Sequence, residues 1–312
     1  MLRLLTFIGL TFLLFVRANA QSPIEVFYEK DNSGVYTFSC RNNGFCPYTI
    51  TITFTQLTGL RSSATLPYQT DVRPGQQSLF KLQPQPNQAT SFQYNVRSIK
   101  GCQRPKVDTA LVYLLPTSPG KQVSAIQLAY LGKQFAGQQE PKDWYALAIK
   151  MNSGDTVFAA RRGTVSAVRS DAAPMGTHLG FNRDDNMVEI NHADCSFGTY
   201  TVFRPQSIFV RPGQFVEAGT PLGIVGGENY DYGPHVRLAV HYNYEAPVIK
   251  NGQPTDEKQY WAYVPVRFWL KDEQKANRLE SRKPYLSEHP ESVIEQEMSK
   301  REVKKWQKSH VK

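Results

Sequence analysis

Short strand-forming runs separated by glycine and proline turns dominate this sequence, and no stretch before residue 290 shows a helical hydrophobic period. The clearest run, Tyr48–Phe54, alternates β-branched and aromatic side chains, which suits a pleated sheet. Turn sequences such as Arg73–Gln76 lie between runs of this kind. Runs of this length and spacing predict a mostly β protein built from antiparallel sheets.

The strand runs fall into two groups. Residues 21–113 predict a small β-sandwich-like domain. Residues 114–120 contain two prolines and one glycine, which interrupt both strand and helix patterns, so we interpret them as a linker. Residues 121–270 predict a second, mostly antiparallel β domain. Its strands are expected at Thr156–Ala160, Gly163–Arg169, Met187–Asn191, Gly198–Phe203, Val236–His241 and Tyr263–Trp269.

The C-terminal residues 271–312 predict a basic helical tail. One helix is expected from Pro290 to about Lys308, because proline suits the first helical position and acidic residues precede basic ones, in agreement with the helix macrodipole. The apolar stripe of this helix is irregular. We interpret the helix as a packing element, with a partner-binding helix as the alternative.

The first twenty residues have the features of a secretory signal peptide. Met1–Arg3 provides a positive start, Leu4–Val16 is almost entirely apolar, and Ala18–Ala20 is a small-x-small cleavage site. The apolar run is well short of the roughly 20 residues that a membrane-spanning helix needs. We therefore expect residues 1–20 to be removed. The mature chain is expected to be periplasmic or extracellular, without a transmembrane segment.

The charge of the chain argues against a nucleic-acid partner. The formal net charge of +9 falls to about +7 once Arg3 and Arg17 leave with the signal peptide. The densest basic cluster, Lys300–Lys308, is interrupted by Glu302, which is more typical of a solvated helix face than of a nucleic-acid footprint. Any attraction to an anionic envelope polymer is expected to be weak and sensitive to salt.

Four cysteines occur in this chain, and export would bring them to an oxidising compartment where thiols pair. Cys40, Cys46 and Cys102 lie in the N-terminal half, and no C-x-x-C metal knuckle is present. We expect a disulfide from Cys40 or Cys46 to Cys102, within one domain. Cys195 lies in a turn-like run without an obvious partner.

Five segments of the second domain resemble, in order and spacing, the LytM/lysostaphin-type zinc metalloendopeptidases. These segments are Gly154–Ala160, Gly163–Val165, Met187–His192, Val210–Gly223 and Gly233–Arg237. The resemblance covers roughly residues 120–243, and extends more loosely to an exported subgroup with a β domain ahead of the peptidase. It implies the duplicated hybrid motif fold and a parent activity against cell-wall peptides.

Members of this family hold zinc with a His, an Asp four residues later and the second His of an H-x-H pair, and two further His assist the attack of water. In a strand, positions two apart face the same way, so an H-x-H pair places two imidazoles on one surface. Catalytic zinc needs three protein ligands and one open position, where bound water becomes acidic enough to attack near neutral pH.

The matched positions of this sequence carry other residues. The resemblance places Trp144 and Ala148 at the first His and the Asp, and Arg237 at the last ligand. It places Val202 at one assisting His, so that His235 alone survives. Guanidinium has no lone pair to donate and stays charged. The resemblance thus implies a degenerate member without zinc ligands and with no cofactor.

Arg237 is open to two interpretations. It either occupies the former metal space, held by an acid or by backbone carbonyls, or points to solvent. Other side chains that could rebuild a metal site are His178, His192, His235, His241, Asp184 and Asp185. His235 and His241 would share a strand face but lie roughly 20 Å apart, too far for one ion. No nucleophile signature surrounds Cys195 and Ser196, so a disulfide or a buried thiol is favoured for Cys195.

These observations together predict an exported cell-envelope protein with a degenerate, non-catalytic peptidase fold. It would act by binding cell-wall peptides, peptidoglycan or a cell-wall hydrolase. Two alternatives stay open: an active zinc-dependent cell-wall endopeptidase that uses a non-standard metal site, and a structural envelope protein.

Overall fold

A computed structural model describes residues 22–130, 133, 139–173, 185–250 and 253–310. The predicted signal peptide lies outside these residues. Strands dominate the described chain, and the sheets are antiparallel apart from a short parallel pair near the C-terminus, which confirms the predicted mostly β class. No helix in the described ranges is long and apolar enough to cross a membrane.

The N-terminal residues form a β-sandwich. Its strands are β1 (Ile24–Lys30), β2 (Tyr36–Asn42), β3 (Tyr48–Thr58), β4 (Leu60–Ser62), β5 (Tyr68–Val72), β6 (Gly75–Pro84) and β7 (Ser91–Lys100). One sheet has the order β1-β2-β6-β4 and the other β5-β3-β7. Phe38 and Phe80 stack at 4.8 Å on the first sheet, and Ile50 and Ile52 from the second complete the core.

The strands of the second domain and of the C-terminal residues come next along the chain. They are β8 (Val112–Tyr113), β9 (Gln122–Gln127), β10 (Ala146–Lys150), β11 (Thr156–Phe158), β12 (Gly163–Arg169), β13 (Met187–Asn191), β14 (Phe197–Thr201), β15 (Phe203–Ile208), β16 (Phe215–Val216), β17 (Pro221–Val225), β18 (His235–Lys250), β19 (Gln253–Tyr263), β20 (Arg267–Leu270), β21 (Lys275–Asn277) and β22 (Pro284–Leu286). A large sheet has the order β16-β12-β13-β14-β18-β10-β9-β22, with β19 also paired to β18. Smaller sheets, β11-β17-β15 and β21-β20-β8, accompany it.

The two faces of the large sheet have different roles. Leu147, Val236 and Leu238 belong to the main hydrophobic core and are buried. The residues between them point the other way, because successive side chains of a strand alternate between faces. The register pairs Arg237 with Ala148 on β10 and with Thr201 on β14. These three side chains therefore lie side by side on the face opposite the core.

The segment interpreted as a linker is partly a core segment. Leu114, Leu115 and Thr117 are fully buried, and Leu115 belongs to the main core together with Phe268 of β20. The two leucines that open this segment provide the apolar surface for that burial. The exact boundary between the two domains remains a prediction.

The C-terminal residues are more integrated than a helical tail. β21 and β22 precede the helices, and β22 pairs with β9 at the edge of the large sheet. Where one helix was expected, the described residues form α1 (Glu291–Ile294) and α2 (Lys300–His310). Glu297, between them, binds the buried side chain of Arg161.

The predicted disulfide between Cys102 and Cys40 or Cys46 is wrong. Cys102 pairs with Cys195, with their Cα atoms 5.8 Å apart, and Cys40 and Cys46 are buried free thiols in the described structure. The reason is geometric. Cys102 follows the end of β7, where the chain contacts the large sheet, and this places it against Cys195 in the turn between β13 and β14.

Further contacts join the two domains at this point. The Lys100 ammonium pairs with the carboxylate of Glu189, and Asn243 Nδ2 donates to the Lys100 carbonyl at 2.8 Å. Gly101 has a φ of +94°, and a Cβ there would lie 2.8 Å from Asn243 Nδ2. Only glycine allows this close approach at that backbone conformation. The end of β7 therefore rests directly on the large sheet.

Candidate functional site

Arg237 lies in β18 on the face of the large sheet that is opposite the core. Its side chain is 11% exposed, and Nη1 lies 3.3 Å from Oδ2 of Asp185. The guanidinium carbon lies 5.0 Å from the ring centroid of Tyr230, within the range of a cation–π contact. Of the two interpretations of Arg237, the structure shows the one in which an acid holds it inside the protein.

His235 lies two residues earlier on the same face and is fully buried. Its Nδ1 lies 2.7 Å from the carbonyl oxygen of Gly233, and because a carbonyl only accepts, Nδ1 carries the proton. Its Nε2 accepts from Arg237 Nε at 3.3 Å. Burial, together with the charge of Arg237, lowers the pKa of His235 to about 4. His235 is therefore neutral, with both ring nitrogens already hydrogen-bonded.

Replacing His235 with Asn is expected to flatten the pH dependence of stability between pH 7 and pH 4. The pKa of His235 falls from the usual 6.5 to about 4 on folding, so below pH 6.5 the unfolded chain binds a proton that the folded chain does not. Stability is therefore lost as pH falls through this window, by about 3 kcal/mol from this residue. Urea unfolding at several pH values measures it. Equal pH dependence of both proteins would contradict the prediction.

Little space is left beside His235. A Cβ added to Gly227 would lie 3.0 Å from Val202 Cγ1 and 3.1 Å from His235 Nδ1. The cavity that Val202 helps to line has a volume of about 30 Å³, room for about one water molecule. Ala148 is also fully buried. The described residues therefore leave only a small space beside Val202 on this face.

The backbone at Val202 is unusual for a β-branched residue. Its φ is +72°, in the left-handed region, where histidine is enriched and β-branched residues are genuine outliers. The conformation therefore suits the assisting His expected from the family resemblance better than it suits the valine now present.

Trp144 has a set of neighbours that differs from those of the other matched positions. Its indole Nε1 donates to the carbonyl of Leu128 at 2.8 Å, and its ring centroid lies 4.5 Å from that of Tyr263 and 5.0 Å from that of Tyr130. Ala148, His235 and Arg237 come together on the sheet, with Val202 against His235. Trp144 instead belongs to an aromatic cluster.

The residues at the expected zinc-binding positions do not fit a zinc ion. Ala148 has no donor atom, Arg237 has no lone pair, and the one polar group of Trp144 is an N–H donor. Within the part of the chain that the structure describes, no group of three or more His, Cys, Asp or Glu could hold a metal. His178 and Asp184 lie outside the described residues.

The other candidates for chemistry have structural roles. His192 is buried and its Nδ1 donates to the Arg162 carbonyl at 2.8 Å. Ser196 is fully buried and its Oγ donates to Asp194 at 2.6 Å, so it is not accessible as a nucleophile. Its neighbour Cys195 is in the disulfide. None of the three presents a reactive atom to a ligand.

Sequence reasoning missed the groups that hold Arg237. The sequence indicates Asp185 only as a possible metal ligand, whereas in the structure it is the counter-ion of Arg237, 52 residues away in sequence. Tyr230 is the second such group. It lies in the turn before β18, hydrogen-bonds Asp185 through its hydroxyl at 3.2 Å and faces the guanidinium. Its position shortly before the His-x-Arg segment was the available signal.

One protein-family model and several solved structures are similar to parts of this chain. Residues 142–256 match the model of peptidase family M23, and no curated protein matches the chain. Similar solved structures include the SpoIIQ–SpoIIIAH pore-forming complex, 23% identical over 42% of this chain and 84% of that one, with a TM-score of 0.26. Another is Helicobacter pylori Csd3, 14% identical over 92% of this chain and 79% of that one, with a TM-score of 0.29.

A third similar structure is a putative glycyl-glycine endopeptidase lytM from Ruminococcus gnavus. It is 13% identical over 46% of this chain and 56% of that one, with a TM-score of 0.28. At these identities and TM-scores, the three structures do not indicate the activity of this chain. The match to the family model, in register with the motifs of the second domain, does identify the family. Residues 142–256 therefore form a domain of peptidase family M23, the LytM/lysostaphin-type family.

Proposed function

We propose that this protein is an exported cell-envelope protein whose M23 domain is non-catalytic and acts by binding cell-wall peptides, peptidoglycan or a cell-wall hydrolase. One observation carries the proposal. The guanidinium of Arg237, paired with Asp185, lies beside Ala148 and His235, where the family resemblance places the metal.

Electrostatics oppose a metal at this position. Two unit charges 4 Å apart interact by about 4 kcal/mol at an effective dielectric of about 20, so a dication next to a guanidinium is opposed by roughly twice that. The carboxylate of Asp185 is already paired with Arg237. An ion would need to break that pair and find other ligands.

His235 cannot replace the missing groups. General acid–base help contributes typically about 10²–10⁴ in rate, whereas enzymes accelerate their reactions by at least about 10⁶. The ring nitrogens of His235 bind Gly233 and Arg237, so neither is available to a substrate. The domain thus keeps the scaffold of a peptidase without its chemistry.

We expect the purified mature protein to carry no stoichiometric zinc and to cleave neither cell-wall peptides nor glycine-rich cross-bridges. Metal analysis after dialysis and a peptide-release assay test this, and His235→Ala should leave the background unchanged. The matched positive control restores the expected ligands through Trp144→His, Ala148→Asp, Val202→His and Arg237→His, and should bind zinc. Chelator-sensitive hydrolysis by the native protein, abolished by His235→Ala, would show that the site is active.

Binding and export need their own measurements. Sedimentation with purified peptidoglycan sacculi should carry the native protein into the pellet. A protein that neither pellets with sacculi nor captures a cell-wall hydrolase would be a structural envelope protein instead. N-terminal sequencing of the secreted form should begin at Gln21.

A further inference from the structure

One side of helix α2 carries five basic residues. They are Lys300, Arg301, Lys304, Lys305 and Lys308, and all five are exposed. Because an α-helix turns about 100° and rises about 1.5 Å per residue, the five positions lie within an arc of about 140° and along about 12 Å of the helix. They form one continuous surface, which we call the basic face of α2.

The opposite side of α2 packs against the protein. Trp306 is partly buried against a small apolar cluster, which consists of Leu114, Ala218, Val293 and Ile294. Gln307 Nε2 donates to Oε1 of Glu295 at 3.0 Å. Val303 lies on the same side of the helix as these two residues and is also partly buried. These contacts fix the orientation of α2, so that its basic face points away from the protein.

Glu302 is the one acidic residue of α2, and it interrupts the basic cluster in sequence but not in space. Its position lies about 60° outside the arc of the basic face. Its Oε2 accepts from the backbone N–H of Ser299 at 2.8 Å, and its Oε1 accepts from Nη2 of Arg162 at 2.8 Å. The bonds to Ser299 and Arg162 lower the pKa of Glu302 to about 2. The carboxylate therefore stays charged, but it is engaged by groups other than the basic face.

The positive charge of the basic face is not neutralised by the rest of the described chain. Among the residues that the structure describes, no carboxylate forms an ion pair with any of the five basic side chains. Five like charges within about 12 Å repel one another. A negatively charged partner relieves that repulsion, so the charge of this surface is complementary to an anionic one.

The shape and chemistry of the basic face favour a flat anionic surface over a linear polyanion. Linear nucleic acids are held in positively charged grooves with stacking aromatic rings, whereas an exposed helix is a convex ridge. Four of the five residues are lysines, which act as mobile point charges and not as planar forks that recognise one group. No apolar side chain lies on the basic face, and the apolar side of α2 is already packed. Contact is therefore electrostatic, without insertion of the helix.

We propose that the basic face of α2 binds the headgroups of an anionic phospholipid membrane and holds the protein peripherally at the membrane surface. This goes beyond the proposed function, which concerns the M23 domain. Each Lys or Arg near an anionic membrane surface strengthens binding about fivefold. Five such residues on one outward face give reversible binding that depends on salt.

The test uses the full mature protein and vesicles of equal parts phosphatidylglycerol and phosphatidylcholine, with binding followed by co-sedimentation. We expect binding at about 0.1 M salt and its loss at about 1 M, because the screening length falls from about 10 Å to about 3 Å. Vesicles of phosphatidylcholine alone should not bind. Replacing Lys300, Lys304 and Lys308 with Gln should weaken binding at least about tenfold, and Lys→Arg at these positions should keep it.

The matched control replaces Arg61, Arg73 and Lys81 with Gln. These residues are exposed on the N-terminal sandwich, so the net charge changes equally while the basic face stays intact. The control should bind vesicles like the native protein. Gln forms helices about as well as Lys, and urea unfolding checks that both triple variants remain folded.

Three outcomes would overturn the membrane site. The first is a native protein that does not sediment with the anionic vesicles. The second is equal weakening by the α2 and control substitutions, which would show that net charge alone determines binding. The third is binding of linear polyphosphate through the three lysines without binding of vesicles, which would make the partner a soluble polyanion. Vesicle binding that depends on the α2 lysines and on phosphatidylglycerol supports the proposal.

Discussion

Replacing Cys102 and Cys195 with Ala is expected to lower the free energy of unfolding by about 4–5 kcal/mol. The disulfide joins residues 93 positions apart, and in the chain-entropy account a loop of about 100 residues is worth about 4.7 kcal/mol. Urea unfolding with and without reductant measures the effect, and a non-reducing peptide map identifies the bond. Reduced native protein should match the double variant, which itself should not respond to reductant.

The matched control replaces the two buried free thiols, Cys40 and Cys46, with Ala. Each substitution leaves a small cavity and should cost about 1 kcal/mol, and the response to reductant should remain that of the native protein. A peptide map that links Cys102 to either of these residues would contradict the domain-joining disulfide, as would a native protein insensitive to reductant.

Arg161→Met is expected to cost about 3–5 kcal/mol of unfolding free energy. The Arg161 side chain is 1% exposed, bonds Glu297 through Nε at 2.8 Å and Nη2 at 2.7 Å, and reaches Asp194 through Nη1 at 3.0 Å. Tyr113 also accepts from it at 3.0 Å. The substitution leaves two largely buried carboxylates without their cation, and breaking a buried ion pair from one side carries a penalty of this size. Urea unfolding measures it.

The effect should reach the C-terminal helices. Glu297 lies between α1 and α2, so loss of its partner should also make residues 291–310 more sensitive to protease. The matched control is Arg204→Met, because the Arg204–Glu228 pair is exposed, with both side chains at 44%. Exposed pairs contribute about 0–1 kcal/mol. Equal losses in the two variants would show that the burial of Arg161 does not set its contribution.

The strands of the second domain illustrate how far sequence patterns reach. The predicted strands Gly163–Arg169 and Met187–Asn191 match β12 and β13 residue for residue, because their alternation of apolar and polar side chains is a local property of a sheet with one buried face. β21 and β22 were not predicted. Each has three residues, too few for a pattern. β21 pairs with the adjacent strand β20, and β22 pairs with β9, which is distant in sequence.

Some features of the candidate site could likewise be predicted from the sequence, and others could not. The side chains at the matched positions, and the inability of Trp144, Ala148 and Arg237 to ligate zinc, follow from residue chemistry alone. Residue chemistry alone does not identify Asp185 as the acid that pairs with Arg237. That pairing requires the turn before β13 to lie over β18, which the strand order of the large sheet decides.

The sequence by itself therefore determined the β class of this protein, the family of its second domain and the loss of the expected zinc ligands, since alternation, motif spacing and donor chemistry are properties of short segments. Only the tertiary structure decided that Cys102 pairs with Cys195, that Arg161 holds Glu297, and that Asp185 pairs with Arg237. The reason is that each of these features depends on contacts between segments far apart in the chain. Those contacts are fixed by the packing of the two domains and the C-terminal residues against the large sheet.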